Sequence, residues 1–290
     1  MNSAPVWLVT GAARGLGRVI VEHVLSNGGR AIAAARSDDA LAALGTHERL
    51  FTVVMDVNSR ASVEAAVAKG VAHFGGLDVL VNNAGYGHFG PAESLTDDEF
   101  HAQFEANFFG VVRVCQAAIP SLRARGGGRI FQMSSIAGLA GSVGGAAYCS
   151  SKFALEGYTE ALAQELAPSK ILCTIIEPGG FRTEFAASTS AKFSQGDSAV
   201  LAAVKQRLGN FSGKQVGDPK ELARVLWHVS TLADPPSRLL VGADALTRGR
   251  AKLEFMLGEV KEFEALSKTR ELDGGASLGL PAAIKRPWQA

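Results

Sequence analysis

The sequence predicts an α/β protein: a doubly wound parallel sheet of about seven strands with helices on both faces. Three observations carry that expectation. Short β-branched apolar runs alternate with amphipathic stretches of helical period. A glycine-rich turn, TGAARGLG, follows the first such run. No linker or shift in composition divides the 290 residues, so they read as one domain.

Val6–Thr10 reads as the first strand, and Leu16–Asn27 as a helix closed by Gly28-Gly29. Arg30–Ala35 and Leu50–Val57 are the second and third strands. Ser59–His73 has helical periodicity, with Asn58 placed to cap it. Leu77–Val81 is the fourth strand and runs into NNAG. Thr96 and Glu99 have the spacing of a capping box, opening one long helix to about Arg123. Pro120 either kinks that helix or marks its last turn. Arg129–Met133 is the fifth strand, Ala146–Ala167 a helix stopped by Pro168, Ile171–Ile176 the sixth strand and Leu239–Val241 the seventh. The main domain is expected over residues 1–272, with a tail at 273–290 that is either disordered or laid over a neighbouring subunit. A segment at about 181–214 lies outside the strand–helix alternation.

The bulk numbers narrow the function. Hydrophobic residues at 47% and charged residues at 20% support a large core and exclude disorder over most of the chain. A net charge of +1 points away from nucleic acid and anionic membranes. No apolar run reaches the length of a membrane span, and the first strand leaves no room for a cleavable signal. Cys115, Cys149 and Cys173 are an odd number without CxxC spacing, which fits a reducing compartment and makes a cytoplasmic location the expectation. No His, Cys and carboxylate cluster has zinc-like spacing, so no catalytic metal is expected.

Chemistry concentrates in two places. Gly11, Gly15 and Gly17 lie between a strand and a helix, where glycine allows a tight turn and close backbone approach to a pyrophosphate, and the helix start offers free N–H groups. Farther on, Tyr148 and Lys152 stand four residues apart on one helix face, thirteen residues after Ser135. A phenol beside a cation, in a chain with a nucleotide loop, describes a proton donor next to a bound dinucleotide.

In these motifs the chain resembles the short-chain dehydrogenase/reductase family in its single-domain form. The resemblance rests on TGAARGLG, Asp56-Val57, NNAG at Asn82–Gly85, Asn107 in NFFG, Ser135, Tyr148 with Lys152, and Pro178-Gly179 followed by Thr183. These stand in the family's order over about residues 5–185 and fade beyond Phe185. The resemblance implies a Rossmann-like fold, a bound dinucleotide, and a homodimer or homotetramer built on the helices around Asn107 and Tyr148. Gly11, Arg14, Gly15, Leu16, Gly17, Arg36, Asp56, Val57, Asn83, Ala84, Gly85, Tyr148, Lys152, Pro178, Gly179 and Thr183 are the implied cofactor contacts. Asn82 and Asn83 read equally well as braces of the sheet, and Asp56 as a helix cap.

NAD sites place a carboxylate at the end of the second strand. Here Ala35 and then Arg36 stand there, and Arg14 sits in the glycine loop. Two charge-assisted contacts to a 2′-phosphate, roughly 1.5–3 kcal/mol each, would favour NADP(H). Asp38 and Asp39 offset part of that preference.

By resemblance and chemistry, Tyr148 is the general acid in reduction and the base in oxidation. A phenol titrates near 10, and a cation at about 4 Å supplies roughly the 4 kcal/mol that a shift to neutrality needs; Lys152 is spaced to supply it. Ser135 is expected to hold the substrate oxygen, with Ser134 as its confounder. The resemblance gives Asn107 a part in relaying protons through Lys152. For substrate contacts the candidates are His88, Phe89, Val143, Gly144, Gly145, Phe181 and Phe185. The paired glycines would leave room for a large substrate. The segment at 181–214 reads either as a lid over an apolar carbonyl or alcohol or as an ordinary loop packing its aromatics inward. Rival readings are an alcohol dehydrogenase working mainly in oxidation, a non-catalytic dinucleotide-binding regulator, and a sugar-nucleotide epimerase.

Overall fold

VWLVT has no polar face, and such a strand is stable only with both sides covered. In the computed structural model, which describes residues 4–186, 190–268 and 286, this segment is β1 (Val6–Thr10) and is buried at every position. It is followed by α1 (Gly15–Ser26), β2 (Arg30–Ala35), a short α2 (Asp38–Ala42), β3 (Leu50–Val54) and α3 (Arg60–Phe74). Next come β4 (Val79–Asn82), β5 (Gly87–Phe89), α4 (Asp97–Phe104), α5 (Gly110–Ala124), β6 (Gly128–Met133) and α6 (Ala146–Leu166). Then follow β7 (Ile171–Pro178), β8 (Ala191–Phe193), α7 (Ala199–Phe211), α8 (Pro219–Thr231), β9 (Arg238–Val241), α9 (Ala243–Glu262) and α10 (Glu264–Ser267).

The central sheet has seven parallel strands in the order β3-β2-β1-β4-β6-β7-β9. The chain winds outward from β1 through β2 to β3, then returns to β4 on the other side of β1. The reversal opens a crevice above the carboxyl ends of β1 and β4. Alternation along each strand divides the core in two. Leu8, Ile32 and Leu80 face α3, α5 and α6, joining Val63, Val114 and Leu155. Trp7, Val9 and Phe131 face α1 and α8, joining Ile20, Leu222 and Leu226. Trp7 stacks on Phe131 and Trp227, with ring centroids 6.0 and 5.6 Å away.

Several local expectations are corrected. α3 is capped by the Ser59 hydroxyl, which accepts from Ser62 N–H, and not by Asn58. β3 ends at Val54 rather than Val57. The capping box at Thr96 and Glu99 is present. The long helix it opens is interrupted by a single π-helical turn, Glu105–Phe109, that separates α4 from α5. Pro120 lies inside α5 without ending it. The segment at 181–214 carries structure of its own: β8 pairs in parallel with β5, and α7 follows. Of the tail at 273–290 only Arg286 is among the described residues, paired with Asp234 at 2.6 Å. No described helix is long and apolar enough to cross a membrane.

Leu155 is 0% exposed where α6 meets the sheet. Leu155→Ala should cost about 2–5 kcal/mol, read as a lower urea midpoint with an unchanged slope.

Candidate active site

The floor of the crevice is set by Thr10, the last residue of β1. Its hydroxyl oxygen accepts the backbone N–H groups of Asn83 and Ala84, each at 3.0 Å. Asn83 Nδ2 donates in turn to the carbonyls of Thr10 and Gly11 at 2.9 and 3.2 Å. Asn82 Nδ2 donates to Gln132 Oε1 inside the sheet at 2.9 Å. Both asparagines therefore brace the strand ends and lock NNAG against the glycine turn. That turn has little room for side chains. Gly11 has φ of +65°, and a Cβ on it would lie 2.9 Å from Ala84 Cα. A Cβ on Gly17 would run into the Gly11 carbonyl. Arg14, at the start of α1, caps it with no side-chain hydrogen bond, and the first turn carries no acid. A close backbone cradle beneath an uncapped helix start suits a pyrophosphate, so the residues present fit a dinucleotide.

The other expected cofactor contacts surround this turn. Leu16 packs partly buried against the core. β2 ends in buried Ala35, and Arg36 and Arg14 are exposed. Arg14 Nη2 donates to Ser190 Oγ at 2.9 Å, tying the glycine turn to the segment before β8. Asp56 Oδ1 accepts from Asn58 N–H at 3.0 Å, closing a turn ahead of α3. Val57 packs under Gly110, where a Cβ would come within 2.9 Å of its Cγ2. A Cβ on Gly85 would lie 2.9 Å from Asn107 Oδ1. Pro178 ends β7, Gly179 N–H donates to the Val241 carbonyl at 2.9 Å, and Thr183 lies over Gly15.

The reactive centre forms between β6 and α6. Ser134 and Ser135 leave β6 with their hydroxyls committed differently. Ser134 Oγ donates to Glu156 Oε1 at 2.5 Å, in the buried layer below. Ser135 Oγ accepts from Ala137 N–H at 3.1 Å and faces the Tyr148 phenol closely enough to favour its ionised form. The structure thus sets Ser135, not its neighbour, against Tyr148. On α6, Tyr148, Lys152 and Glu156 recur at four-residue intervals along one face, and all three are buried. Lys152 Nζ donates to the Met133 carbonyl at 2.7 Å.

Electrostatics differ from the expectation that Lys152 pulls the phenol down. Burial pushes Tyr148 up to about 12; Ser135 lowers it and the Cys149 charge raises it further. Burial lowers Lys152 to about 8, with Glu156 opposing that shift. The Lys152 ammonium sits 6.0 Å from the phenol ring centroid and is bonded to a backbone carbonyl. At Lys152 loss of water outweighs the Glu156 charge, and at Tyr148 it outweighs the effect of Ser135. Beneath them, Arg238 from β9 bridges Glu156 and Glu177. Burial, followed by repulsion from Glu156, raises Glu177 to about 7 against the pull of Arg238.

Asn107 lies in the π turn and is 0% exposed. Its Oδ1 accepts from Tyr86 N–H at 3.1 Å, and its Nδ2 donates to Tyr86 O at 2.9 Å and Ser151 Oγ at 3.3 Å. Its amide clamps the loop after β4 to α6.

Of the expected substrate contacts, the structure brings Phe89 and Phe185 to the phenol, with centroids 5.6 and 5.7 Å from the Tyr148 ring. Phe193, from β8, stands 6.2 Å from Phe89. The other positions lie as follows. His88 alternates with Phe89 on β5, is buried, and has Nε2 3.2 Å from Glu99 Oε1. Phe181 is 7% exposed and packs into the α1–α8 side of the core. Gly144 and Gly145 do not leave open room: a Cβ on Gly144 would strike Val204 of α7, and one on Gly145 would lie 2.9 Å from Cys149 Sγ. Gly144 also has φ of +71°, which explains the glycine. Val143 is 66% exposed, on the outer side of this turn.

Glu156, Asp244 and Arg248 stand beside the site and are absent from the sequence reading, whereas Phe193 belongs to the segment read as a lid. Asp244 Oδ2 accepts from Gly180 N–H at 2.7 Å, and Arg248 Nη2 donates to the carbonyls of Ala140 and Gly141. Glu156 could have been found by continuing the four-residue spacing from Tyr148; the others are brought in by tertiary folding alone. Among the described residues, no three His, Cys, Asp or Glu side chains gather as metal ligands.

Residues 5–193 match the family described as short chain dehydrogenase. The oxidoreductase BOA17 of Botryotinia fuckeliana is 39% identical over 267 residues, covering 90% of this chain and 97% of that protein. A short-chain dehydrogenase from Streptomyces avermitilis superposes with a TM-score of 0.83 at 35% identity, covering 91% of this chain and 98% of the other. An alcohol dehydrogenase from Thermococcus sibiricus, complexed with 5-hydroxy-NADP, gives a TM-score of 0.69 at 28% identity, covering 82% and 96%.

Two measurements check this geometry. Thr10→Val leaves two N–H groups without their acceptor and should cost about 2–4 kcal/mol in urea unfolding. Lys152 is protonated less readily folded than unfolded, so between about pH 8 and its unfolded value of 10.5 the unfolded chain holds the extra proton. Stability attributable to this group rises with pH across that window. The stability of Lys152→Met relative to the wild type should therefore be greatest near pH 7 and should fall by pH 10 as the wild-type penalty is lost.

Proposed function

The chain belongs to the short-chain dehydrogenase family, and on that footing we propose that it is an NADP(H)-dependent reductase of an apolar carbonyl compound. The observation that carries the reading is the buried Tyr148 phenol, facing Ser135 and one helical turn from Lys152. At neutral pH the buried phenol is protonated, the state from which it donates to an oxygen that gains negative charge. It suits reduction better than the alternative of an alcohol dehydrogenase working in oxidation, where the same group must accept a proton.

When bound, the dinucleotide supplies the hydride. The chain's own residues do the rest. Gly11, Gly15 and Gly17, with the start of α1, receive the pyrophosphate, while Asp56, Val57, Asn83, Ala84 and Gly85 form the floor. Pro178, Gly179 and Thr183 close the nicotinamide side. Ser135 Oγ orients the substrate oxygen, and Tyr148 gives it a proton. Lys152 restores that proton, and Asn107 holds α6 at the distance this requires. Phe89, Phe185 and Phe193 give the substrate an apolar wall, which supports an apolar carbonyl.

The choice of NADP(H) rests on the end of β2, where Ala35 offers no carboxylate to repel a 2′-phosphate and Arg36 follows. Three buried, unpaired cysteines agree with a reducing, cytoplasmic setting. A homodimer or homotetramer on α5 and α6 completes the reading.

Tyr148→Phe should bind NADPH with near wild-type affinity by fluorescence titration and lose at least about a thousandfold in kcat, with ketone reduction as the assay. Near wild-type kcat would remove the acid from Tyr148. Separately, Ala35→Asp should move the kcat/KM ratio about a hundredfold toward NADH; an unmoved ratio would reject the NADP assignment.

A further inference from the structure

α9 is 20 residues long, or about 30 Å, yet only its first two turns touch the body of the protein. Ala245 and Gly249 are its buried residues, and a Cβ on Gly249 would lie 2.6 Å from Leu240 Cδ1 on β9. From Arg250 to Lys268 every residue is exposed except the half-buried Lys252. A water-facing helix of this length normally has a polar surface. This one presents Leu246, Leu253, Met256, Val260 and Phe263, between 45% and 65% exposed, with Leu266 at 80%.

The spacing of these side chains is informative. Beyond the turn where Gly249 packs on β9, Leu253, Met256, Val260 and Phe263 alternate at three and four residues, which is the a/d seam of a helix pair, and Leu246 lies one heptad before Leu253. The charges flanking the seam are segregated. Residues 243–253 hold Arg248, Arg250 and Lys252 against Asp244, whereas 254–268 hold Glu254, Glu259, Glu262 and Glu264 against Lys261 and Lys268. Five basic and five acidic residues cancel over the whole stretch, so it offers no net attraction to an anionic membrane. A parallel pair would set like charges together. An antiparallel pair sets the basic half of each helix on the acidic half of the other, and a two-fold axis produces that arrangement from one sequence.

We propose that α9 is the docking surface for a second copy of this chain, as an antiparallel, two-fold helix pair. Leu253 of each copy packs beside Met256 of the other, Leu246 meets Phe263, and Lys252 lies opposite Glu259. This surface is distinct from α5 and α6. Its root is tied to the site, since Asp244 and Arg248 in the first turns hold the loops at Gly180 and at Ala140-Gly141. The pairing would therefore brace those loops.

Light scattering on the full chain during size exclusion tests the proposal. Leu253→Asp with Val260→Asp alters only exposed positions, should keep the circular dichroism of the wild type, and should halve the particle mass. Arg250→Glu with Lys252→Glu should do the same, as should Glu259→Lys with Glu262→Lys. Mixing the two charge-reversed proteins, or combining all four changes in one chain, should restore the wild-type mass. A wild-type monomer would overturn the proposal, as would variants that keep the wild-type mass or charge reversals that do not rescue one another. Association that occurs only after the chain is cut at Lys268 would also overturn it, by assigning the seam to the tail.

Discussion

The site depends on burying two ionisable side chains one helical turn apart at the carboxyl edge of the sheet. Water is removed from both, and removal of water acts on them in opposite directions. The Tyr148 phenol is held protonated and the Lys152 amine gives up its proton more readily. The surroundings offset part of that cost: Ser135 faces the phenol, the Met133 carbonyl accepts from the amine, and the charge of Glu156 acts on the amine from one turn on. Adjacent serines divide the work. Ser134 turns toward Glu156 and Ser135 toward Tyr148, so the two residues that follow β6 both meet α6.

The crevice that receives this pair is a consequence of topology. Crossovers run in opposite directions from β1, and the strand ends part between β1 and β4. Thr10 and Asn83 close the gap with hydrogen bonds rather than packing, which leaves the backbone of the glycine turn exposed to a ligand. The π turn at Glu105–Phe109 places Asn107 where one amide reaches both Tyr86 and Ser151. A regular helix would carry one residue fewer across that interval, and π turns of this kind recur at functional sites.

Much of this was legible in the sequence because it is local. Strand apolarity, the glycine turn, the capping box and the Tyr148–Lys152 spacing each need only a few neighbouring residues. What was missed depends on distant chain. Gly110 follows the π turn between α4 and α5, but a lone glycine in a helical run does not announce one. β5 and β8 are three residues each and exist only because they pair with one another. Phe181 faces the core because its backbone bridges to Gly217, and the Gly144-Gly145 turn is tight because α7 packs on it. The sign of the electrostatic shift at Tyr148 was misread for a related reason: sequence spacing shows that a cation is near, but not how much water the fold removes.

The central claim is that the fold keeps Tyr148 protonated well beyond neutrality. Carbon-13 NMR of tyrosine-labelled protein, with the Tyr148 resonance assigned by its absence in a phenylalanine variant, reads that proton directly. The account predicts a ring-carbon shift that stays at its protonated value through pH 10, with a midpoint at about 12. A midpoint at or below the value of about 10 for a free phenol would contradict it.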